Sequence, residues 1–408
     1  MDKKPNMLSA DAALSFLLAQ ARPVGEIERV STLAALGRVL AQSQVSAIDV
    51  PPLDNSAMDG YAIRLADLAP DAPTRLRVSQ RIPAGTMGQP LEAGTAARIF
   101  TGAPVPQYCD AVVMQENCSV EGDEVTINKA PGMGENIRRS GEDIAAESEI
   151  LPAGIRLRPQ EMGLAASVGI ASLPVYRKLK VAAFFTGNEI VMPGEPLKPG
   201  HIYNSNRFVL AGLLQGLGCE VVDLGIVPDD FAATVKVLEQ SASCADVIVT
   251  CGGVSVGEED HVKAAVEAVG QLDLWKIAIK PGKPLAFGNV GGVPFIGLPG
   301  NPVSAFVTFC LFVRPFILRS QGIAATAPRA FSLKADFDWL KPDKRREFLR
   351  ARLHMMEDGS TSAQLYPNQG SGVLTSTTWA DGLVEVAEST PIRRGEMVKF
   401  LPFSELLS

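Results

Sequence analysis

The sequence predicts a multidomain α/β plus β protein. Its parts are a central α/β domain with a mostly parallel sheet, an inserted small β domain, a discontinuous N-terminal helical domain and a C-terminal β barrel. Three observations carry this. Apolar strands alternate with amphipathic helices from about residue 179 to 320, the pattern of parallel strands joined by crossover helices. Two flanking stretches, 48–146 and 328–408, instead hold short segments of strand periodicity separated by Gly and Pro turns,. The 408 residues also exceed one core, at roughly 100–200 residues per domain,.

In chain order, Ser9 can cap "ADAALSFLLAQA" and Ser31 can cap "TLAALGRVL", both with apolar residues spaced three to four apart. A third helix, "RPQEMGLAASVG", begins at 158 with Pro159 suited to its first turn,. These define the helical domain as 1–47 and 147–178. Between its halves, "LRVSQRI", "AARIF", "DAVVMQE" and "EVTIN" read as strands of the inserted domain, 48–146. Residues 179–327 follow as strand "LKVAAFF", helix "NRFVLAGLLQGLG", strand "CEVVDLG", helix "DDFAATVKVLEQSA", strand "DVIVT", helix "EDHVKAAVEAVG" and strand "LWKIAI". Strands "PLAFGN" and "VPFIGL" then lead into the helix after "PGNPVSA". The barrel, 328–408, is expected from "AFSLKADF", "EFLRARLHM", "AQLYP", "LVEVAE" and "MVKFLPF",.

Composition narrows function. Hydrophobic residues at 46% and charged residues at 20% describe a globular chain,. A formal charge of −7 gives no global field to attract a polyanion,, so nucleic acid is excluded as partner and an anionic substrate must meet a local group of Lys and Arg. Six cysteines without a C-x-x-C pair, and three histidines, give a zinc cluster little to build on,. Reduced, mostly buried thiols are expected. The apolar run "VSAFVTFCLFV" ends in Arg314 and Pro315, well short of the ~20 residues of a membrane span, and reads as a buried helix. Without the features of a signal peptide, the cytoplasm is the expected compartment.

The chemically rich loops follow strands. "TGNE", "IVPDD", "CGGVSVGEED" and "KPGKP" leave strands at one edge of the sheet, where open α/β sheets bind ligands. Glu189, Asp229, Asp230, Asp260, Lys280 and Lys283 should therefore converge. Carboxylates spread over loops suit Mg²⁺, which binds through one or two of them plus substrate phosphate, and the lysines suit the anion. Each signal alone is weak. "GGVSVG" lacks the Walker pattern and is as often structural as phosphate-binding, and isolated lysines are usually surface groups. In the inserted domain "VPPLDNSAMDGYAI" places Asp54, Asn55, Ser56 and Asp59 between Pro and Gly, equally a set of Asx turns. "IFTGAPVP" and "IRRSGEDI" add Thr101, Arg138, Arg139, Glu142 and Asp143 in similar loops.

The ordered set "PPLDNSAMDGYA", "TGAPVP", "RRSGEDI", "FTGNEIV", "IYNSN", "CGGVSVGEEDHV", "KIAIKPGKP" and "GLPGNPVSA" resembles the MoeA and gephyrin E-domain family, the molybdopterin molybdenumtransferases. The resemblance runs to about residue 320 and continues more loosely through "REFLRARL" and "NQGSGVL". It implies a four-domain homodimer that takes adenylylated molybdopterin and molybdate, inserts molybdenum and releases AMP with Mg²⁺. The cleft is expected between the α/β and C-terminal domains of one subunit and the inserted domain of the other. Catalytic roles then fall on Asp59, Thr101, Asp143, Glu189, Asp260 and Lys280, and metal ligation on Glu189, Asp229 and Asp230. Gly252, Gly253, Ser255, Lys276, Lys283, Pro299, Arg350 and Ser371 match positions placed around molybdate or the pterin phosphate.

Asn188 stands where many relatives carry Asp. His201 reads as a loop side chain and Cys251 as a buried strand-end thiol. A molybdopterin adenylyltransferase, whose kind resembles the α/β domain alone, is the rival enzyme and a possible partner along with other cofactor-assembly proteins. A non-catalytic scaffold of the gephyrin type is the rival outside enzymes.

Overall fold

A computed structural model describes residues 7–253 and 261–408 of the chain. They form two compact units, one comprising residues up to Glu28, Gly37–Ala41 and Pro174–Ser408, the other Arg29–Leu36 and Gln42–Leu173.

The first unit holds the α/β domain. Its six-stranded sheet has the order Glu220–Val227, Lys180–Thr186, Val247–Cys251, Val293–Leu298, Pro284–Val290, Gly270–Lys276. Pairing is parallel among the first four, and Pro284–Val290 runs antiparallel to both its neighbours. The carboxyl ends of the parallel strands therefore share one edge, as expected. Helices Ser205–Gly216, Phe231–Cys244 and His261–Val269 follow strands, and apolar clusters cover both faces. One gathers Val181, Ala183 and Phe185 with Leu214, Phe309 and Phe316. The other gathers Phe184 and Ile248 with Leu238 and Val266.

The helix Ala10–Gln20 is capped by Ser9, whose Oγ accepts from Ala12 N at 3.2 Å. It buries Ala13 and Leu17 in the α/β core, so it belongs to that unit and not to a separate helical domain. The expected helix after Ser31 is replaced by a strand, Ile27–Ser31, and a single 3₁₀ turn, Thr32–Ala34. Ser31 makes no capping bond, and Thr32 instead donates its amide to Ala171 O and its hydroxyl to Ile170 O. The apolar run after Asn301 lies in a 19-residue helix, Pro302–Ser320, 83% of whose most apolar stretch is buried. Its middle, Phe309–Val313, widens to a π turn two residues before Pro315, a residue with no amide for the normal ladder.

All five expected C-terminal strands form. Arg346–Met355, Thr361–Leu365, Phe331–Ala335, Met397–Pro402 and Gly382–Val386 pair in that order, and the last returns to the first to close a barrel. Instead of one strand "LWKIAI", the chain makes Gly270–Lys276 in the α/β sheet and a two-residue strand, Ile279–Lys280, paired parallel with Arg346 and Glu347 of the barrel.

The second unit carries a six-stranded sheet in the order Ala111–Met114, Gly60–Ile63, Thr95–Ile99, Thr74–Ile82, Glu124–Ile127, Cys118–Glu121. A nine-residue helix, Pro159–Ser167, starts at Pro159. Gly60 is required where its strand meets Ala111–Met114, because a Cβ there would lie 2.0 Å from Val113 O. Gly60→Ala should therefore destabilise this unit by about 1–3 kcal/mol, as overpacking does, and shift the neighbouring Asp59; denaturant unfolding followed by circular dichroism checks it.

Candidate functional site

Where the parallel strands of the α/β sheet end, a cavity of about 830 Å³ opens. Its floor comes from strand ends, Thr186 with Gly187 and Cys251 with Gly252 and Gly253, and from Pro299 and Gly300. Two helix starts face it. Asn204, Ser205 and Asn206 open helix Ser205–Gly216, and Asn301, Pro302 and Ser304 open helix Pro302–Ser320. Helix N-termini present unsatisfied amides and a partial positive charge, so this edge suits an anion. Asn204 is spent as a cap, accepting from Arg207 N at 3.1 Å. Asn301 makes no such side-chain bond.

The glycines allow close approach. A Cβ on Gly252, at φ +102°, would lie 2.5 Å from Thr186 O. Three buried polar atoms on the wall, Thr186 Oγ1, Asn204 Nδ2 and Asn206 Oδ1, have no partner among the described residues. Buried polar atoms are normally satisfied, so the cavity suits a polar ligand.

Glu189 and Asp229 both line it. Asn188 and Asp229 clasp each other: Asn188 N donates to Asp229 Oδ2 at 3.0 Å, and Asp229 N donates to Asn188 Oδ1 at 3.2 Å. That clasp gives Asn188 a role, fixing the Asp229 loop against the Glu189 loop. Asp229 Oδ1 and the whole Glu189 carboxylate are uncommitted among the described residues. Asp230 is not available in the same way. It caps helix Phe231–Cys244, accepting from Ala233 N at 2.8 Å. Among the described residues no three His, Cys, Asp or Glu side chains cluster as a metal site. Ser255 and Asp260 lie outside the described residues.

The basic residues do not gather as expected. The 277–283 loop does leave the carboxyl edge, but Lys280 turns to the barrel, where its Nζ is 2.9 Å from Glu347 Oε1 and 3.7 Å from Asp343 Oδ2. Glu347 is fully buried, and its other oxygen accepts from Trp339 Nε1 and Asp343 N. Arg345 joins this network through Asp343 and donates to Ile279 O; its hydrogen bond holds the Asp343 carboxyl far below the usual range. Lys283 is exposed beside Pro284, which lines the cavity, and Lys276 is half-buried at the strand end.

Arg350 is fully buried inside the barrel end. It donates to Ser376 Oγ, Phe348 O and Gly370 O and has no carboxylate partner among the described residues; burial lowers its pKa to about 10. Ser371 offers its carbonyl to Val303 N at 3.0 Å, which brings the following Gly372 and Leu374 into the cavity wall.

Cys251 is the expected buried thiol, 3.0 Å from Pro299 O and pushed up to about 12 by burial. His201 stays a loop side chain near Pro199 O. None of the six cysteines, all among the described residues, is in a disulfide.

In the second unit the three polar loops interlock. Asp59 Oδ1 accepts from both the amide and the hydroxyl of Thr101, each at 2.8 Å, and the Thr101 amide holds its carboxyl below the ordinary value. Asp54 accepts from Ser140 N and Arg139, and its carbonyl takes the Val105 amide. Asp143 is exposed, its amide donating to Val50 O at 3.0 Å. Ser56 closes a turn on Met58. Ser56 thus closes a local turn before Asp59, whereas Asp54 forms no Asx turn and reaches across to the 139–140 loop.

Thr186, Asn204, Asn206 and Asn301 line the cavity without having been expected there. Their signal was present as the polar residues directly after a strand or before a helix in "FFTG", "YNSN" and "PGNP", which is where caps and strand-end loops fall.

Comparison with known proteins matches residues 8–169 to the MoeA N-terminal region (domain I and II), 182–319 to a probable molybdopterin binding domain, and 332–403 to the MoeA C-terminal region (domain IV). The chain is 42% identical to the molybdopterin molybdenumtransferase of Haemophilus influenzae, over 98% of this chain and 100% of that one. It is 37% identical to molybdopterin molybdenumtransferase 2 of Mycobacterium tuberculosis, over 87% and 89%. A solved structure of the molybdopterin biosynthesis MoeA protein of Pyrococcus horikoshii OT3 superposes with a TM-score of 0.84 at 29% identity, covering 97% of this chain and 100% of that one.

Two outcomes test this geometry. Lys280→Ala should cost about 1–3 kcal/mol, less than a fully buried pair because Lys280 is partly exposed, by leaving Glu347 Oε1 without its cation; urea unfolding measures it. Thr101→Val, which removes the hydroxyl bond and keeps the amide bond, should raise the Asp59 pKa part of the way toward that of a free aspartate, read by NMR titration of its carboxyl carbon.

Proposed function

The chain belongs to the MoeA family of molybdopterin molybdenumtransferases and serves molybdenum cofactor biosynthesis by inserting molybdenum; from that premise we propose that it acts on adenylylated molybdopterin and molybdate and releases AMP. The observation that carries the reading is the cavity at the carboxyl edge, with helix amides on one side and Glu189 and Asp229 on another. The matches to MoeA regions on both sides of the molybdopterin-binding domain disfavour an adenylyltransferase built from that domain alone, and no observation favours a purely structural role.

Molybdate and the pyrophosphate of the substrate repel each other. At ~4 Å, unit charges interact by about 4 kcal/mol at an effective dielectric near 20. The helix starts at Ser205 and Pro302 and the glycine amides at 252 and 253 offset part of this without side-chain entropy. Lys276 and Lys283, at the same edge, add positive charge. Glu189 and Asp229 fit Mg²⁺, which needs one or two carboxylates beside substrate phosphate and keeps several waters. When bound, the ion withdraws charge from the phosphoryl oxygens during cleavage. Dithiolene sulfurs of the pterin suit the metal product, so the chain supplies positioning and electrostatics rather than a covalent nucleophile.

Asp59, Thr101 and Asp143 enter this reaction through a homodimer in which a second copy contributes its inserted domain. An apolar groove of about 500 Å³ lined by Leu33, Met162, Ala166 and Ile170 supports a dimer, as does Leu33 at 88% exposure, since contiguous apolar surface marks interfaces. The free thiols fit a cytoplasmic setting,, where the adenylyltransferase that supplies the substrate is a partner.

With adenylylated molybdopterin, molybdate and Mg²⁺, Asp59→Ala and Glu189→Gln should each lower molybdenum transfer and AMP release by about 100-fold or more while unfolding normally. Mixing the two inactive variants should restore activity, because mixed dimers hold one intact shared site. Full transfer by either variant rejects the assignment, and no recovery on mixing rejects the shared site.

A further inference from the structure

We infer that Arg81 and Arg98 form a phosphate-binding subsite beside Asp59, one that takes the pyrophosphate group of the substrate. The two residues are register partners on adjacent parallel strands, and Arg98 is also the partner of Tyr61 on its other side. Ile99, fully buried, points into the core, so alternation along the strand puts Arg98 and Phe100 on the opposite face. There the Arg81 and Arg98 guanidinium carbons lie 4.6 and 4.8 Å from the centroid of the same Phe100 ring, and Arg98 is 5.1 Å from that of Tyr61.

Neighbouring like charges on a sheet are unfavourable by themselves. Neither guanidinium forms an ion pair with a carboxylate among the described residues. Arg98 commits two donors, to Gly60 O at 3.2 Å and Gln115 Oε1 at 2.6 Å. Arg81 is exposed and donates no hydrogen bond among the described residues. A guanidinium resting by its face on an aromatic ring keeps its N–H rim open, and that rim matches phosphate oxygens in pairs. Two such rims near one ring suit a diphosphate better than a single carboxylate.

Position ties the pair to the reaction. Phe100 directly precedes Thr101, whose amide and hydroxyl hold Asp59, and Gly60, which accepts from Arg98, directly follows Asp59. Any anion bound by the arginines therefore sits against the Asp59 loop. Which anion it is rests on the transferase reading above, whereas the subsite itself rests only on this geometry.

The test titrates inorganic pyrophosphate into the full-length protein and into R81Q/R98Q by calorimetry. One class of binding should weaken by about 10-fold or more, as loss of charge-assisted contacts requires. The KM for adenylylated molybdopterin should rise by a similar factor with a smaller change in kcat, and R98K, which keeps charge without the fork, should fall between. R81Q alone, an exposed change, should weaken pyrophosphate at least threefold even if the double variant does not fold. Unchanged pyrophosphate binding in a folded variant overturns the subsite, as does loss of molybdate binding with pyrophosphate binding retained. A parent protein that binds pyrophosphate through these arginines yet transfers no molybdenum keeps the subsite and removes the transferase reading. Normal transfer with an unaltered double variant does the reverse.

Discussion

The parallel backbone ladder is the constraint on which the rest depends. Once Lys180–Thr186, Val247–Cys251 and Val293–Leu298 pair in register, Thr186, Cys251 and Leu298 must finish at one edge. Their following loops then share one volume whatever their sequences. Glycines at 252 and 253 let backbone approach backbone there, and helices starting at Ser205 and Pro302 aim their amides into the same space. A protein of net charge −7 thereby gains amide dipoles that suit an anion at this edge, beside carboxylates that line the same recess.

Several ionic groups near these loops are committed to structure by a neighbour. Lys280 neutralises the buried Glu347 and joins the 277–283 loop to the barrel. Asp230 serves a helix cap. Arg350 is buried among hydroxyl and carbonyl groups rather than on the cavity surface. At the cavity, Glu189 and one oxygen of Asp229 have no such commitment among the described residues, and in the other unit Arg81 and Arg98 have no carboxylate partner among them.

Much of this was legible. The barrel strands and the α/β alternation followed from periodicity, because strand faces and helix stripes must bury apolar residues at spacings of 2 and 3.6. Loop polarity at strand ends pointed to Glu189 and Asp229. What sequence could not supply was competition for individual side chains. Ser31 resembles an N-cap, yet its successor Thr32 bonds to Ile170 and Ala171, distant residues no local pattern reveals. Lys280 looked like an anion ligand because Glu347 lies far along the chain, and the Arg81 and Arg98 pairing depends on a parallel register set across a turn-rich stretch.

The N-terminal helix has a consequence for biogenesis. Ala10–Gln20 buries Leu17 against a core that includes Phe312 and Phe316, and Ile279–Lys280 hooks onto Arg346 and Glu347. On a ribosome, where folding proceeds from the first residues made, that helix emerges some three hundred residues before its partners. Its apolar face stays uncovered until those partners have been made. A nascent chain arrested before residue 309 thus leaves Leu17 without the Phe312 and Phe316 rings of its core.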